Sequence, residues 1–154
     1  RREGIDFWSG LESDAAPLSL LTAPLLAQVR SVHAMRDATR GGLASILNEI
    51  AADSGVSLRL EEESIPVSEQ VTRACELMGY DPLHIANEGK IVAVVAKEDA
   101  DRALAIMRAH PLGRGAARIG EIAAGPAGVV VLKTAFGGER VLDIPYGDLL
   151  PRIC

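Results

Sequence analysis

The spacing of apolar residues changes repeatedly along this chain, and that alternation constrains the fold more than any other feature. Leu43, Ile46, Leu47 and Ile50 fall at i, i+3, i+4 and i+7, the stripe of an amphipathic helix, and Gly55 closes it. Val56, Leu58 and Leu60 then alternate with Ser57, Arg59 and Glu61, the two-residue period of a half-buried strand. Ile91 to Ala96 is an unbroken, largely β-branched run, which predicts a central strand. Pro66 and Ser68 open a helix that carries Val71, Cys75 and Met78 on one stripe and stops at Gly79, so Cys75 is expected in the core. Glu98 to His110 is helical and ends before Pro111. Leu18 to Val29 reads as a helix interrupted at Pro24, with Thr22 suited to cap a second one, and Val32–Met35 as a short strand. Residues 117–123, 129–134 and 139–144 predict three closing strands separated by Gly-Pro and Gly-Gly turns. Helices and strands interleave and the chain closes on antiparallel hairpins. The expectation is an α+β domain, a mixed and partly antiparallel sheet covered by helices, with a ferredoxin-like split βαβ arrangement as the nearest common pattern.

Composition narrows the function. At 154 residues, 48% of them hydrophobic, the chain is long enough for one domain with a core of its own. Sixteen basic against 21 acidic residues give a net charge of −5, which argues against a broadly basic nucleic-acid surface, and 3% aromatics leave little for base stacking. No apolar run approaches the ~18–20 residues of a membrane helix. Two cysteines, Cys75 and Cys154, imply no disulfide framework. The start, Arg1-Arg2-Glu3, lacks Met and a signal-peptide pattern, so the chain is expected to be a piece of a longer cytoplasmic protein. Residues 1–16 are expected to be the remnant of a preceding domain or linker, with Phe7 and Trp8 as its apolar anchors. Residues 17–146 are expected to form the α+β domain, and 147–154 a tail.

Three places have the residue types that chemistry needs. Asp37-Ala38-Thr39-Arg40-Gly41-Gly42 lies between a strand and a helix, where glycines let backbone N–H groups approach a ligand and the helix N-terminus favours an anion. Arg40 adds a bidentate contact suited to phosphate. The competing reading is an ordinary helix cap made by Asp37 or Thr39. His84-Ile85-Ala86-Asn87-Glu88-Gly89-Lys90 precedes the most apolar strand, where burial of Glu88 would raise its pKa and make it a useful base. The competing reading is a solvated turn with a Glu88–Lys90 charge pair of little energetic value. His84 has no second His or Cys at metal spacing, so no metal site is expected. The third place is Pro151-Arg152-Ile153-Cys154, where a terminal thiol is better explained by reactivity than by packing and Arg152 can favour the thiolate. The seven steps from Gly147 give it a reach of about 23–25 Å.

Taken together, Val32 to Leu43, Asn48-Glu49-Ile50-Ala51, Ala86 to Lys90, His110-Pro111-Leu112-Gly113 and Pro151 to Cys154 resemble the C-terminal half of the HypE family of hydrogenase maturation proteins, carbamoyl dehydratases. The Asp-x-Thr-x-Gly-Gly element alone resembles a wider superfamily that includes aminoimidazole ribonucleotide synthetase. The resemblance implies that a partner carbamoyltransferase loads a carbamoyl group on Cys154. ATP with Mg²⁺ then activates the amide oxygen, Glu88 removes protons from nitrogen, and a thiocyanate forms whose cyano group passes to iron on a scaffold complex. Asn87 and Arg152 would support these steps, and Asp37, Thr39, Arg40, Gly41 and Gly42 would face the phosphates. The nucleotide and the dimer contacts would belong mainly to a missing N-terminal domain, leaving this piece inactive alone. Two other readings compete: a docking module that presents its tail without catalysis, and an ATP-dependent small-molecule synthetase.

Overall fold

The computed structural model describes residues 12–144, so Phe7, Trp8, Arg152 and Cys154 lie outside the described residues. The elements are α1 (Ser19–Gln28), β1 (Val32–Asp37), α2 (Gly42–Ser54), β2 (Ser57–Glu61), α3 (Glu69–Met78), β3 (Ile91–Val95), α4 (Ala100–Ala109), β4 (Gly120–Ala123), β5 (Val130–Lys133) and β6 (Glu139–Val141). The class is α+β, as expected. The strands divide between two sheets: an antiparallel β1–β3 ribbon and a four-stranded mixed sheet ordered β4-β2-β5-β6. No described helix is long and apolar enough to cross a membrane.

Three expectations need correction. Pro24 does not divide α1, which runs continuously from Ser19 to Gln28. The ring removes one intrahelical donor, and the Thr22 hydroxyl bonds back to the Ser19 carbonyl (3.3 Å) instead of capping a second helix. β3 is not a central strand. It pairs only with β1, from Val32↔Val95 to Asp37↔Ile91. Its apolar run has another cause, because the ribbon is packed on both faces. Val92 and Val94 join the larger core of α2, β2 and β5, while Ala93 and Val95 join a smaller cluster with Leu25 of α1, Val29 just after it and Ala103 of α4. The closing strands also do not form successive hairpins. Only β5–β6 is one, because β2 sits between β4 and β5, antiparallel to the first and parallel to the second.

The larger core is built by the stripe read from the sequence. Ile46, Leu47 and Ile50 of α2 lie on Leu58 and Leu60 of β2 and on the fully buried Val130, Leu132 and Leu142. Cys75 is buried as expected, and burial, helped by the charge of Asp81, pushes its thiol up. The His110-Pro111-Leu112-Gly113 motif proves structural. The His110 ring accepts from the Leu112 N–H at 3.2 Å and the turn ends α4.

Gly42 fixes how α2 meets the rest of the fold. Its φ is +64°, and a Cβ there would lie 2.5 Å from the Ile85 carbonyl oxygen and 2.7 Å from that of Leu83. Gly42→Ala therefore meets both a left-handed backbone cost and a backbone clash. We expect it to destabilise the protein by about 2–5 kcal/mol, measured by urea unfolding, whereas Gly55→Ala, with open space around it, loses only the backbone share.

Candidate functional site

The first two candidate segments lie side by side. Ala38, at the end of β1, donates its N–H to the Lys90 carbonyl (3.2 Å) and accepts from the Asn87 N–H (3.1 Å). These bonds extend the β1–β3 pairing by one step and set the Asn87–Lys90 loop along the Asp37–Gly42 turn. Asn87 uses its side-chain amide to hold the Ile85 carbonyl at 2.7 Å, which closes the loop on itself. Sequence reasoning found both segments but not their adjacency, which follows from the antiparallel partnership of β1 and β3.

The cap reading of the Asp37–Gly42 turn is overturned. The residue that caps α2 is Gly41, in the left-handed conformation at φ 72°, and no side chain bonds the first-turn amides. Asp37 instead accepts from the Thr39 hydroxyl within the turn. The amides of Gly42, Leu43 and Ala44 are thus left without an acceptor among the described residues, at the positive end of a 13-residue helix. Arg40 is exposed and makes no ion pair among the described residues. Unpaired amides at a helix N-terminus and an exposed guanidinium favour an anionic group such as phosphate, although Gly42 and Ala44 are themselves buried.

Thr39 holds the Asp37 carboxylate below its ordinary 3.8, assisted by the backbone amide, against desolvation that pushes the other way and with a lesser contribution from Arg36. A lowered folded value means that the stabilisation is present above 3.8 and is lost as pH falls through the folded value, so Asp37 stays ionised throughout the neutral range. In an NMR titration Thr39→Val should raise the Asp37 midpoint toward 3.8; an unmoved midpoint would show that the hydroxyl is not the cause.

The Glu88 expectation is corrected in two respects. Glu88 is exposed, so the burial expected for it is not found among the described residues. Lys90 pairs not with Glu88 but with Asp14, at 3.1 Å. Residues 12–16, expected to be a remnant, lie against this loop: a Cβ on Gly89 would overlap the Asp14 carbonyl oxygen and sit 3.1 Å from the Ala16 nitrogen.

Sequence reasoning missed the residues that root the C-terminal segment here. Asn48 of α2 donates one amide group to the carbonyls of its own helix at Ala44 (2.9 Å) and of Leu142 (2.7 Å). The His84 ring contacts the Asp143 carbonyl at 3.2 Å, and Arg140 pairs with Asp81 at 2.6 Å. An Asn inside a helix next to an apolar stripe was the available signal, because such a residue is disfavoured unless its amide has work elsewhere. Arg36 and Glu49 form a further pair, at 3.0 Å, between β1 and α2. No group of three or more His, Cys, Asp or Glu among the described residues could hold a metal ion.

A profile described as AIR synthase related protein, C-terminal domain, matches residues 5–133, and the chain belongs to that family. Within it the likeness is to HypE. The chain is 53% identical to carbamoyl dehydratase HypE of Cupriavidus necator over 154 residues, 100% of this chain and 44% of that protein. It superposes on a crystal structure of hydrogenase maturation protein HypE in complex with ATP with a TM-score of 0.92 at 42% identity, covering 99% of this chain and 47% of that one. The HypE–HypF complex matches with a TM-score of 0.87 at 43% identity, covering 94% of this chain and 47% of that one. The chain therefore spans less than half the length of the curated relatives it matches.

Proposed function

We propose that this chain is the C-terminal portion of an ATP-dependent carbamoyl dehydratase that makes cyanide for nickel–iron hydrogenase, working in the cytoplasm as the resemblance implies. Residues 1–16 are its linker from a nucleotide-binding domain, 17–146 its α+β domain and 147–154 the tail that carries the substrate on Cys154. The net change is conversion of the S-carbamoyl group, S–C(=O)–NH₂, and ATP into S–C≡N, ADP and phosphate. ATP supplies the phosphoryl group that turns a poor leaving oxygen into phosphate. Mg²⁺ belongs with the nucleotide, bound mainly outside this chain.

The roles within this chain follow from its chemistry. The unpaired amides of Gly42, Leu43 and Ala44, with Arg40, favour negative charge beside the turn, and the Thr39 hydroxyl holds the Asp37 carboxylate within it. Glu88 takes the protons from nitrogen, and Asn87 sets the loop that carries it. The proposed role needs the nitrogen of the loaded group within hydrogen-bond reach of the exposed Glu88 carboxylate. Arg152 favours the Cys154 thiolate before loading. The carbamoyltransferase that loads Cys154 would be the counterpart of HypF, the protein found complexed with the related HypE; an iron-bearing scaffold would accept the cyano group, and the full-length protein would act as a homodimer.

The single observation carrying this reading is the hydrogen-bonded seam at Ala38, which puts the anion-favouring turn and the Glu88 loop together. The tail adds support. It is rooted through Leu142 and Asp143 beside Asn48 and His84, and Cys154 lies ten steps beyond Ile144, a span of at most about 33–36 Å. Glu88 is only four residues beyond His84. The test is mass spectrometry of the Cys154 peptide from the full-length protein, carbamoylated by its partner and then given ATP. Loss of one water from the modified peptide is expected; a carbamoyl group that persists through ATP hydrolysis would overturn the reading.

A further inference from the structure

We propose that Asp14 and Lys90 are positioning residues: their ion pair, beside the Asp14–Ala16 backbone that covers Gly89, latches the linker to the Glu88 loop and holds the backbone from which Glu88 extends. The inference rests on the reading of Glu88 as the base and concerns what holds that base in position.

Glu88 stands in a short loop whose other members are each tied down by something different. Asn87 is bonded through its N–H to Ala38 and through its side chain to Ile85. Lys90 accepts from the Ala38 N–H through its carbonyl and donates its ammonium to Asp14 Oδ2 at 3.1 Å. Gly89 has no room for a side chain, because the backbone of Asp14 to Ala16 passes directly over it. The turn side of the loop is therefore held by β1 and the opposite side by the linker. Nothing else among the described residues joins residues 12–16 to this loop by a side-chain bond.

Both partners of the pair are partly exposed, 51% and 35%, so it adds little to folding stability. Its value lies in placement. A general base acts only within hydrogen-bond reach of the proton it takes, and a displacement of about 1 Å can cost about 100-fold in rate. On a loop anchored at one end the backbone that carries an exposed carboxylate can shift; clamped at both, that backbone is held and the volume the carboxylate samples is narrowed. Because the linker leads back toward the proposed nucleotide-binding portion, the latch also makes the position of Glu88 depend on the position of that linker.

The experiment uses the full-length protein loaded with the carbamoyl group on Cys154, with ATP-dependent water loss from the tail as the readout. Asp14→Lys places two ammonium groups together and should lower kcat about tenfold while leaving KM for ATP within about twofold. The swap Asp14→Lys with Lys90→Asp restores opposite charges and should recover kcat to within about threefold. Gly89→Ala should lower kcat by about 100-fold, read alongside Tm to verify folding. An unchanged kcat in Asp14→Lys, or a loss that the swap does not recover, overturns the latch. Glu88→Gln is assayed in parallel: if it dehydrates normally, the base assignment itself has failed, and the latch with it. If Glu88→Gln is blocked while Asp14→Lys is normal, only the latch has failed.

Discussion

Replacing Glu88 by Gln in the full-length protein is expected to leave Cys154 carbamoylated and to stop its conversion to thiocyanate. Gln keeps the size of Glu and can hydrogen-bond, but it cannot accept and retain a proton at neutral pH. Loss of a positioned general base typically costs about 10²–10⁴ in rate, enough to hold the carbamoyl adduct through an ordinary assay. The fold should not suffer. Glu88 is exposed and makes no side-chain bond among the described residues, and surface changes of that kind usually stay within about 0.5 kcal/mol. The measurement separates the two half-reactions, since mass spectrometry sees the carbamoyl group arrive and then sees whether water leaves. A Gln variant that loses water at the normal rate would remove Glu88 from the chemistry.

Cys154→Ala is expected to abolish the function outright, because the substrate would have no atom to be attached to. The effect should appear as absent cyanide bands in the infrared spectrum of the hydrogenase matured by the variant. Stability should not change, since the segment that roots the tail ends at Leu142 and Asp143 and is held by Asn48 and His84, far along the chain from the thiol. The same variant discriminates between the readings open at the start. A small-molecule synthetase would tolerate the change almost silently, because its substrate diffuses in and needs no tether. A docking module would lose its cargo too, but its partners would still bind the variant. Normal maturation by Cys154→Ala would refute the carrier role.

Most secondary structure was legible because each segment had one dominant period. The α2 stripe, the β2 alternation and the Gly55 and Gly79 stops all lie where local pattern placed them. What failed was long-range. The run Ile91–Ala96 announces burial on both faces, and a two-stranded ribbon between two apolar clusters satisfies that as well as a central strand does. The insertion of β2 between β4 and β5 leaves no mark in the spacing of the closing strands. Thr22 and Pro24 obeyed local capping chemistry on paper, but packing of Leu21 and Leu25 kept α1 in one piece. At the site, residue types identified Asp37–Gly42 and Glu88, whereas Asp14 could be found only once the linker was seen lying over Gly89. The pairing expected within the loop, between Glu88 and Lys90, gave way to one between residues 76 positions apart.

The β1–β3 ribbon has a thermodynamic consequence. It is a wall shared by two rooms: Val92 and Val94 face one apolar cluster, Ala93 and Val95 the other. Neither cluster can come apart without stripping one side of the same strand pair, and two strands alone do not persist in water. The two halves should therefore melt together in a single calorimetric transition, with the ribbon amides among the last to exchange with deuterium.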